Sequence, residues 1–140
     1  HVTGVSNSCL KRAEFSYAAI ESISAAKYAK MNRLSQSAYS ELGIYKILLP
    51  EQNNYWLPLL CREVTDKIHS ADASGELWET VAEYINQGMD VNQTAKSLIL
   101  HNNTVRYRIA KVARLMGCEE EKPEFRTVLY LVVKKALCNL

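Results

Sequence analysis

The chain has 140 residues, of which 48% are hydrophobic, 9% aromatic and 23% charged, a composition typical of a folded, water-soluble domain. Seventeen Lys and Arg residues nearly balance fifteen Asp and Glu residues, and the net charge of +2 does not by itself suggest a nucleic-acid partner. No apolar run approaches the roughly 20 residues of a membrane-spanning helix, and no signal-peptide pattern occurs, so we expect a cytoplasmic protein without a membrane partner.

The first fifty residues combine strand and helix signals. Because the chain opens on His1 without an initiator Met, we expect it to be part of a longer protein. Residues 2–5 predict the end of a strand. Residues 42–49 are apolar, partly β-branched and closed by a proline, which predicts a second strand. Between them, residues 10–34 carry a helical apolar stripe: Ala13, Tyr17, Ile20 and Ile23.

A polar break separates the two halves of the chain. Residues 55–69 have helical apolar spacing and predict a connecting helix. The run over 70–75, rich in Ser, Asp, Ala and Gly, is the best candidate boundary. We therefore predict an N-terminal part over 1–50, a connecting helix and linker over 51–73, and a C-terminal domain over 74–140.

Four helices are predicted after the break. Residues 77–85 form the first, which Gly88 is expected to end because glycine readily adopts the left-handed conformation. Asp90 starts the second, with Gln93 three residues later as in a capping box.

The third and fourth helices follow after tight connections. Asn103 or Asn102 is expected to cap the third, and Gly117 to end it. Pro123 opens a final helix whose apolar residues, over 125–137, exceed what one helix face requires. This excess is compatible either with a dimer seam or with a buried core.

The charge is unevenly distributed along the chain. Residues 51–88 carry two basic and seven acidic side chains, a net charge of −5. Residues 89–116 carry five basic and one acidic side chain, a net charge of +4. The small overall charge therefore conceals a strongly basic block, which indicates a polyanionic partner.

Two short helices joined by a turn, the second of them basic on its outer side, predict a helix-turn-helix. A recognition helix must bury one apolar stripe while offering polar and cationic side chains to a major groove about 12 Å wide. We predict that residues 103–116 are this helix and that it enters operator or promoter DNA. Four side chains are expected to pack the motif together: Ala95, Leu98, Val105 and Ile109.

Eight side chains in or just before the predicted recognition helix are candidate DNA contacts: His101, Asn102, Asn103, Thr104, Arg106, Tyr107, Arg108 and Lys111. Each has a structural alternative. The residues at the helix start are alternatively caps only, and the cations are alternatively solvated charge. Tyr107 is alternatively a packing residue, Arg108 the partner of an internal ion pair, and His101 a hydrogen-bonding residue of the turn.

Three segments resemble the C-terminal domain of PucR/CdaR-type bacterial transcriptional regulators: residues 77–85, residues 94–98 and residues 101–109. The family signature is close to H-R-N-T-[LV]-R-Y-R-[LI] preceded by T-A-x-x-L, and this chain matches nearly every position. The resemblance covers residues 70–140. It implies a mainly α fold with a Fis-like, four-helix helix-turn-helix module, in a sequence-specific DNA-binding regulator that forms homodimers.

Residues 1–50 resemble, more faintly, the end of the GGDEF-like domain that precedes this module in the family. That implies a helix–strand–helix remnant of an α/β domain, with a small-molecule effector sensed by domains further upstream. Two departures from the family stand at the turn. Asn102 replaces a common Arg, which weakens phosphate contact or alters base preference, and Ile99 and Leu100 replace the Gly often found there.

Enzyme signatures are missing from the sequence. No G-x-S-x-G, P-loop or H-E-x-x-H motif occurs, and the five glycines are scattered. We therefore expect no catalysis, no cofactor and no metal site. The four cysteines form no C-x-x-C pair and are expected to be reduced. The competing function is a non-catalytic protein-interaction or dimerisation module that uses the apolar helix over 125–137 and the basic helix.

Overall fold

A computed structural model describes residues 1–9, 11–50 and 55–138 of the chain. Leu10, where the predicted first helix begins, and residues 51–54 of the predicted connecting segment lie outside the described residues. The described part is mainly helical, with seven α-helices and one two-stranded sheet. It divides into two compact units, His1–Asn54 and Tyr55–Leu140.

The first unit pairs two short parallel strands against one helix. Strand β1 (Thr3–Val5) pairs with β2 (Gln36–Ala38), and helix α1 (Phe15–Met31) connects them. A short helix, α2 (Tyr45–Leu48), follows a 3-10 turn over Tyr39–Glu41. The predicted strand at residues 2–5 is confirmed.

The predicted strand over residues 42–49 is wrong, because this run forms a turn and helix α2 instead. Leu42, Leu48 and Leu49 are buried there. A short apolar run is ambiguous between a strand and a buried helical segment, and tertiary contacts decide between them. The second strand is the polar run Gln36–Ala38, whose three residues carry no alternating apolar pattern.

Helix α1 does not bury the apolar stripe that its spacing suggests. Tyr17 is 63% exposed and Ile23 57% exposed. The buried residues of α1 are small instead: Ser24, Ala25 and Ala29.

Close packing of strand β1 explains this choice of face. A Cβ atom built on Gly4 would lie 2.0 Å from the carbonyl oxygen of Ser22 and 2.4 Å from the backbone nitrogen of Ala26. The backbone of β1 therefore lies directly on the backbone of α1. Such an approach is possible only where both elements carry small side chains.

The second unit is a bundle of five helices: α3 (Trp56–Ala71), α4 (Glu76–Asn86), α5 (Val91–Ser97), α6 (Asn102–Leu115) and α7 (Pro123–Cys138). The predicted four-helix module corresponds to α4–α7. Helix α3 contributes Cys61, Val64 and Ile68 to the same hydrophobic core. Although the sequence predicts a connecting role for residues 51–73, α3 is thus packed as part of the bundle.

The apolar excess of α7 is explained by core packing. Phe125, Leu129, Val132 and Val133 are fully buried, because α7 packs against both α3 and α4. Among the described residues, the large exposed hydrophobic side chains include none from α7. Core packing therefore accounts for the buried part of this stripe, and the dimer seam stays a prediction for its half-buried residues, such as Val128 and Leu131.

Candidate nucleic-acid interface

Helices α5 and α6 form a compact helix-turn-helix. Ala95 of α5 is buried in the same hydrophobic core as Val105 and Ile109 of α6, both of which are fully excluded from solvent. The fourth predicted packing residue, Leu98, is the half-buried C-cap of α5. A small residue at position 95 allows the two helix backbones to approach closely.

The turn between the helices is a Schellman motif. The N–H of Ile99 donates to the carbonyl of Lys96 at 3.4 Å, and the N–H of Leu100 donates to the carbonyl of Ala95 at 2.8 Å. Ile99 occupies the left-handed position with φ of +56°, where glycine is usual. Its side chain is 93% exposed, so the strain is not offset by packing within the described residues.

His101, and neither Asn102 nor Asn103, caps helix α6. The prediction of an Asn cap is wrong because the helix begins at Asn102, which leaves His101 in the extended conformation of an N-cap. Its Nδ1 atom accepts a hydrogen bond from the N–H of Asn103 at 3.2 Å. This hydrogen bond is the structural alternative that the sequence leaves open for His101.

The solvent-facing side of α6 is polar and cationic. Asn103, Arg106, Tyr107 and Arg114 are exposed, with Tyr107 at 61%. The Nη1 atom of Arg106 lies 3.4 Å from Oδ1 of Asn103, so these two side chains are adjacent one turn apart. We call Asn103, Arg106 and Tyr107 the outer face of α6.

Three other predicted DNA-contact residues are less exposed than the outer face of α6. Asn102 is half-buried, and its Nδ2 atom donates to Oδ1 of Asn92 at 2.6 Å. Thr104 and Lys111 are also half-buried.

Arg108 points into the protein. Its Nη2 atom lies 2.6 Å from Oε2 of Glu76, and its Nη1 atom lies 3.0 Å from Oγ1 of Thr80. Only 14% of its side chain is exposed. The structure thus favours the internal ion pair, the alternative to a DNA contact for Arg108.

Comparison with known protein families matches residues 77–134 to the PucR C-terminal helix-turn-helix domain. This part of the chain is a PucR-type helix-turn-helix domain. The match runs from the first turn of α4 into the second half of α7, and so includes both helices of the motif.

Two curated relatives extend the comparison beyond the PucR-type domain. The chain is 28% identical over 127 residues to the proline-responsive transcriptional activator PutR of Bacillus subtilis (strain 168), covering 89% of the chain and 31% of PutR. It is 30% identical over 105 residues to the DNA-binding transcriptional activator AdeR of the same organism, covering 69% of the chain and 24% of AdeR. The chain thus spans less than a third of these relatives. No solved structure matches it.

A carboxylate just before the PucR-type domain interacts electrostatically with Lys111 of α6. Oδ1 of Asp72 accepts from the hydroxyl of Ser74 at 2.5 Å, and Oδ2 accepts from the N–H of Leu77 at 2.7 Å. These hydrogen bonds lower the pKa of Asp72, and the positive charge of Lys111 lowers it further. Lys111 therefore lies within electrostatic reach of an acid of its own chain.

Sequence reasoning did not identify the residues that hold the PucR-type motif in place. Glu76, Thr80 and Glu83 lie on successive turns of α4 and hydrogen-bond to side chains of α5 or α6. Their spacing of four and three residues is a polar stripe at helical period, a signal that is present in the sequence. Alone, it is indistinguishable from a solvated helix face.

Within the part of the chain that the structure describes, no group of three or more His, Cys, Asp or Glu side chains is placed to hold a metal ion. All four cysteines are free. Burial raises the pKa of Cys61, against the lowering effect of the Lys135 charge. No described helix is both long and apolar enough to cross a bilayer.

Proposed function

We propose that this chain is the DNA-binding part of a transcriptional regulator, and that it recognises a specific sequence by placing α6 in the major groove of duplex DNA. The single observation that carries the proposal is the outer face of α6, which offers two polar side chains and a cation within a PucR-type helix-turn-helix domain. The similarity to PutR and AdeR, both of them transcriptional activators, supports the same function.

The chemistry of the outer face suits a groove. Arg106 is exposed and cationic, and an arginine fork pairs with the O6 and N7 atoms of guanine or with a phosphate. Asn103, in the first turn of α6, suits the edge of an adenine. The exposed hydroxyl of Tyr107 suits a phosphate oxygen.

The first turn of α6 supplies a second set of interactions. The free N–H groups at a helix N-terminus and its positive dipole end favour phosphate. His101 is exposed at this end, and Asn102 and Thr104 are half-buried beside it. We assign these residues to the DNA backbone, together with Lys111, and leave Arg108 out of the contact set.

Two further parts of the proposal concern the whole protein. A two-fold operator is read by paired recognition helices about 34 Å apart, so we propose that the regulator acts as a homodimer. We also propose that a small-molecule effector is sensed elsewhere in the longer protein, since the description of PutR as proline-responsive names such an input for that relative.

The test is a salt series of DNA binding. A duplex selected from a random library by the chain is labelled, and its affinity is measured by fluorescence anisotropy at several salt concentrations. DNA binding predicts a steep fall of affinity with salt, and Arg106→Ala is expected to reduce the slope of log K against log salt by about one. Lys67→Ala is the matched control, because Lys67 is an exposed cation of α3 that pairs with Glu63.

Two results would contradict the proposal. The first is that neither random nor selected DNA binds at low salt. The second is that Arg106→Ala changes the slope no more than Lys67→Ala does. An interaction module that binds an acidic protein through the basic helix is the remaining alternative, and it would give the first result.

A further inference from the structure

A polar stripe runs along α4 and meets both helices of the helix-turn-helix. Its members Glu76, Thr80 and Glu83 are spaced by four and three residues, so they lie on one face of the helix. We propose that this stripe, which we call the α4 clamp, positions the recognition helix, and that Arg108 is a positioning residue for DNA recognition. The inference rests on the proposed function.

The contact with α6 is made through Arg108. Its guanidinium donates to Glu76 at 2.6 Å and to Thr80 at 3.0 Å, from two different nitrogen atoms. Because the guanidinium is planar and rigid, two acceptors on one helix fix its orientation as well as its distance. Thr80 is fully buried, so one of the two acceptors is itself held by the core.

The contact with α5 is made one turn further along α4. The hydroxyl of Ser97 donates to Oε1 of Glu83 at 2.5 Å, and the side-chain amide of Gln87 donates to the same oxygen at 2.7 Å. These hydrogen bonds lower the pKa of Glu83, Ser97 being the larger cause. Helix α4 therefore holds the last turn of α5 as well as the middle of α6.

The α4 clamp pairs with one cation of the basic block and leaves others exposed to solvent. Arg108 is neutralised inside the chain by Glu76, whereas Arg106 and Arg114 remain exposed to solvent. Glu76, one of the seven acidic residues over 51–88, thus serves to hold the helix-turn-helix together. Because the side chain of Glu76 is 59% exposed, water screens the ion pair and its contribution to stability is small, so the geometry of the clamp is its more important effect.

Positioning and direct contact predict different binding behaviour. A cation that touches phosphate contributes to specific and non-specific binding alike, and its loss reduces the salt slope. If the clamp orients the helix, its loss disturbs the contacts to base edges, because these contacts need a fixed position of the helix in the groove. The contacts of the outer face to phosphate persist. Loss of the clamp should therefore reduce the preference for the selected site and leave the salt slope unchanged.

The experiment compares Arg108→Met with Glu76→Gln in the 140-residue chain. The two variants change the net charge in opposite directions, so an effect of the same sign on both cannot come from long-range electrostatics. We expect each to weaken binding to the selected duplex about tenfold and to change binding to random duplex by less than about twofold. The salt slope should stay within about 0.3 of the original chain, in contrast to Arg106→Ala.

A second measurement does not depend on DNA. Amide hydrogen exchange in α6 should be faster in Glu76→Gln, while exchange in the core of α7 stays unchanged, because only the contact between α4 and α6 is loosened. The double variant Glu76→Arg with Arg108→Glu restores an ion pair of reversed polarity. It should recover part of the preference for the selected duplex that Arg108→Met and Glu76→Gln lose. A general loss of folded protein would instead weaken specific and random binding equally.

Each outcome decides the inference separately from the proposed function. If Arg108→Met lowers the salt slope by about one, Arg108 is a phosphate contact and the positioning role is wrong. If Glu76→Gln leaves or tightens binding to the selected duplex, the clamp is likewise refuted. If the original chain binds no DNA, the proposed function is wrong. In that case the clamp is tested by amide hydrogen exchange alone, and unchanged exchange of α6 in Glu76→Gln would refute it as well.

Discussion

The Nδ2 atom of Asn102 lies 2.6 Å from Oδ1 of Asn92 and joins the first turn of α6 to the first turn of α5. Asn92 is already tied to the cap of α5, since its N–H donates to Oδ1 of Asp90 at 2.7 Å. The start of α6 is therefore connected through two side chains to the start of α5.

Asn92→Ala should reduce the free energy of unfolding by about 0.5–1 kcal/mol, because the amide of Asn102 loses its acceptor while remaining accessible to water. Urea denaturation of this variant, of Asn102→Ala and of the double variant measures the coupling. Gln93→Ala, a neighbouring exposed position, is the control. Strictly additive losses in the two single variants would show that the bridge contributes nothing.

Ile99→Gly should increase the free energy of unfolding by about 0.5–1 kcal/mol. The left-handed conformation is sterically costly for a β-branched residue and has no steric cost for glycine. This relief outweighs the larger conformational entropy that glycine loses on folding. No buried contact is lost, since the side chain is 93% exposed. Thermal unfolding of Ile99→Gly and of Ile99→Ala, which retains the Cβ atom, tests this. A lower melting temperature for the glycine variant would contradict the strain argument.

Gly4→Ala should destabilise the first unit by about 1–3 kcal/mol, because the added methyl group would overlap backbone atoms of α1 that a rotamer change cannot move. Circular dichroism during urea unfolding measures the loss. Val5→Ala is the control on the same strand, where the side chain is exposed and truncation costs little. Equal stability of the two variants would show that β1 and α1 separate without cost.

Asp72→Asn should destabilise the second unit at neutral pH and make no difference at strongly acidic pH. The folded-state pKa of Asp72 is lowered from its ordinary value of 3.8. Its contribution is therefore present above that ordinary value and is lost as the pH falls through the folded-state pKa. Urea unfolding at pH 7, 4 and 2 measures the difference, with Asp66→Asn on α3 as the charge-matched control. A difference between wild type and Asp72→Asn that is independent of pH would refute the assignment.

The helix-turn-helix was predictable because its signals are local. Apolar residues at helical spacing, Asp90 as a cap and Gly88 as a stop all act within one or two turns of the backbone. Each signal is confirmed, as α4 ends just before Gly88 and the side chain of Asp90 accepts two hydrogen bonds from the first turn of α5. The resemblance to the PucR/CdaR-type signature depends on the same continuous stretch.

Failures of prediction occurred where a distant contact overrides the local pattern. Helix α1 exposes Tyr17 and Ile23 because Gly4, eleven residues before the helix begins, lets β1 pack on its small-residue face. The predicted Asn cap of α6 is wrong for a local reason instead, because His101 adopts the extended N-cap conformation and its Nδ1 atom accepts a hydrogen bond from the N–H of Asn103.

The sequence by itself determined that the C-terminal half is an amphipathic four-helix module with a basic third helix, since periodicity and charge need no partner to be recognised. Only the tertiary structure decided which cations are exposed to solvent. Arg106 and Arg108 are two residues apart on α6, yet one faces solvent and the other meets Glu76, which lies 32 residues earlier in the chain. That choice depends on how α4 packs against α6, and the polar stripe of α4 that makes the contact has, in the sequence, the same pattern as an ordinary solvated helix face.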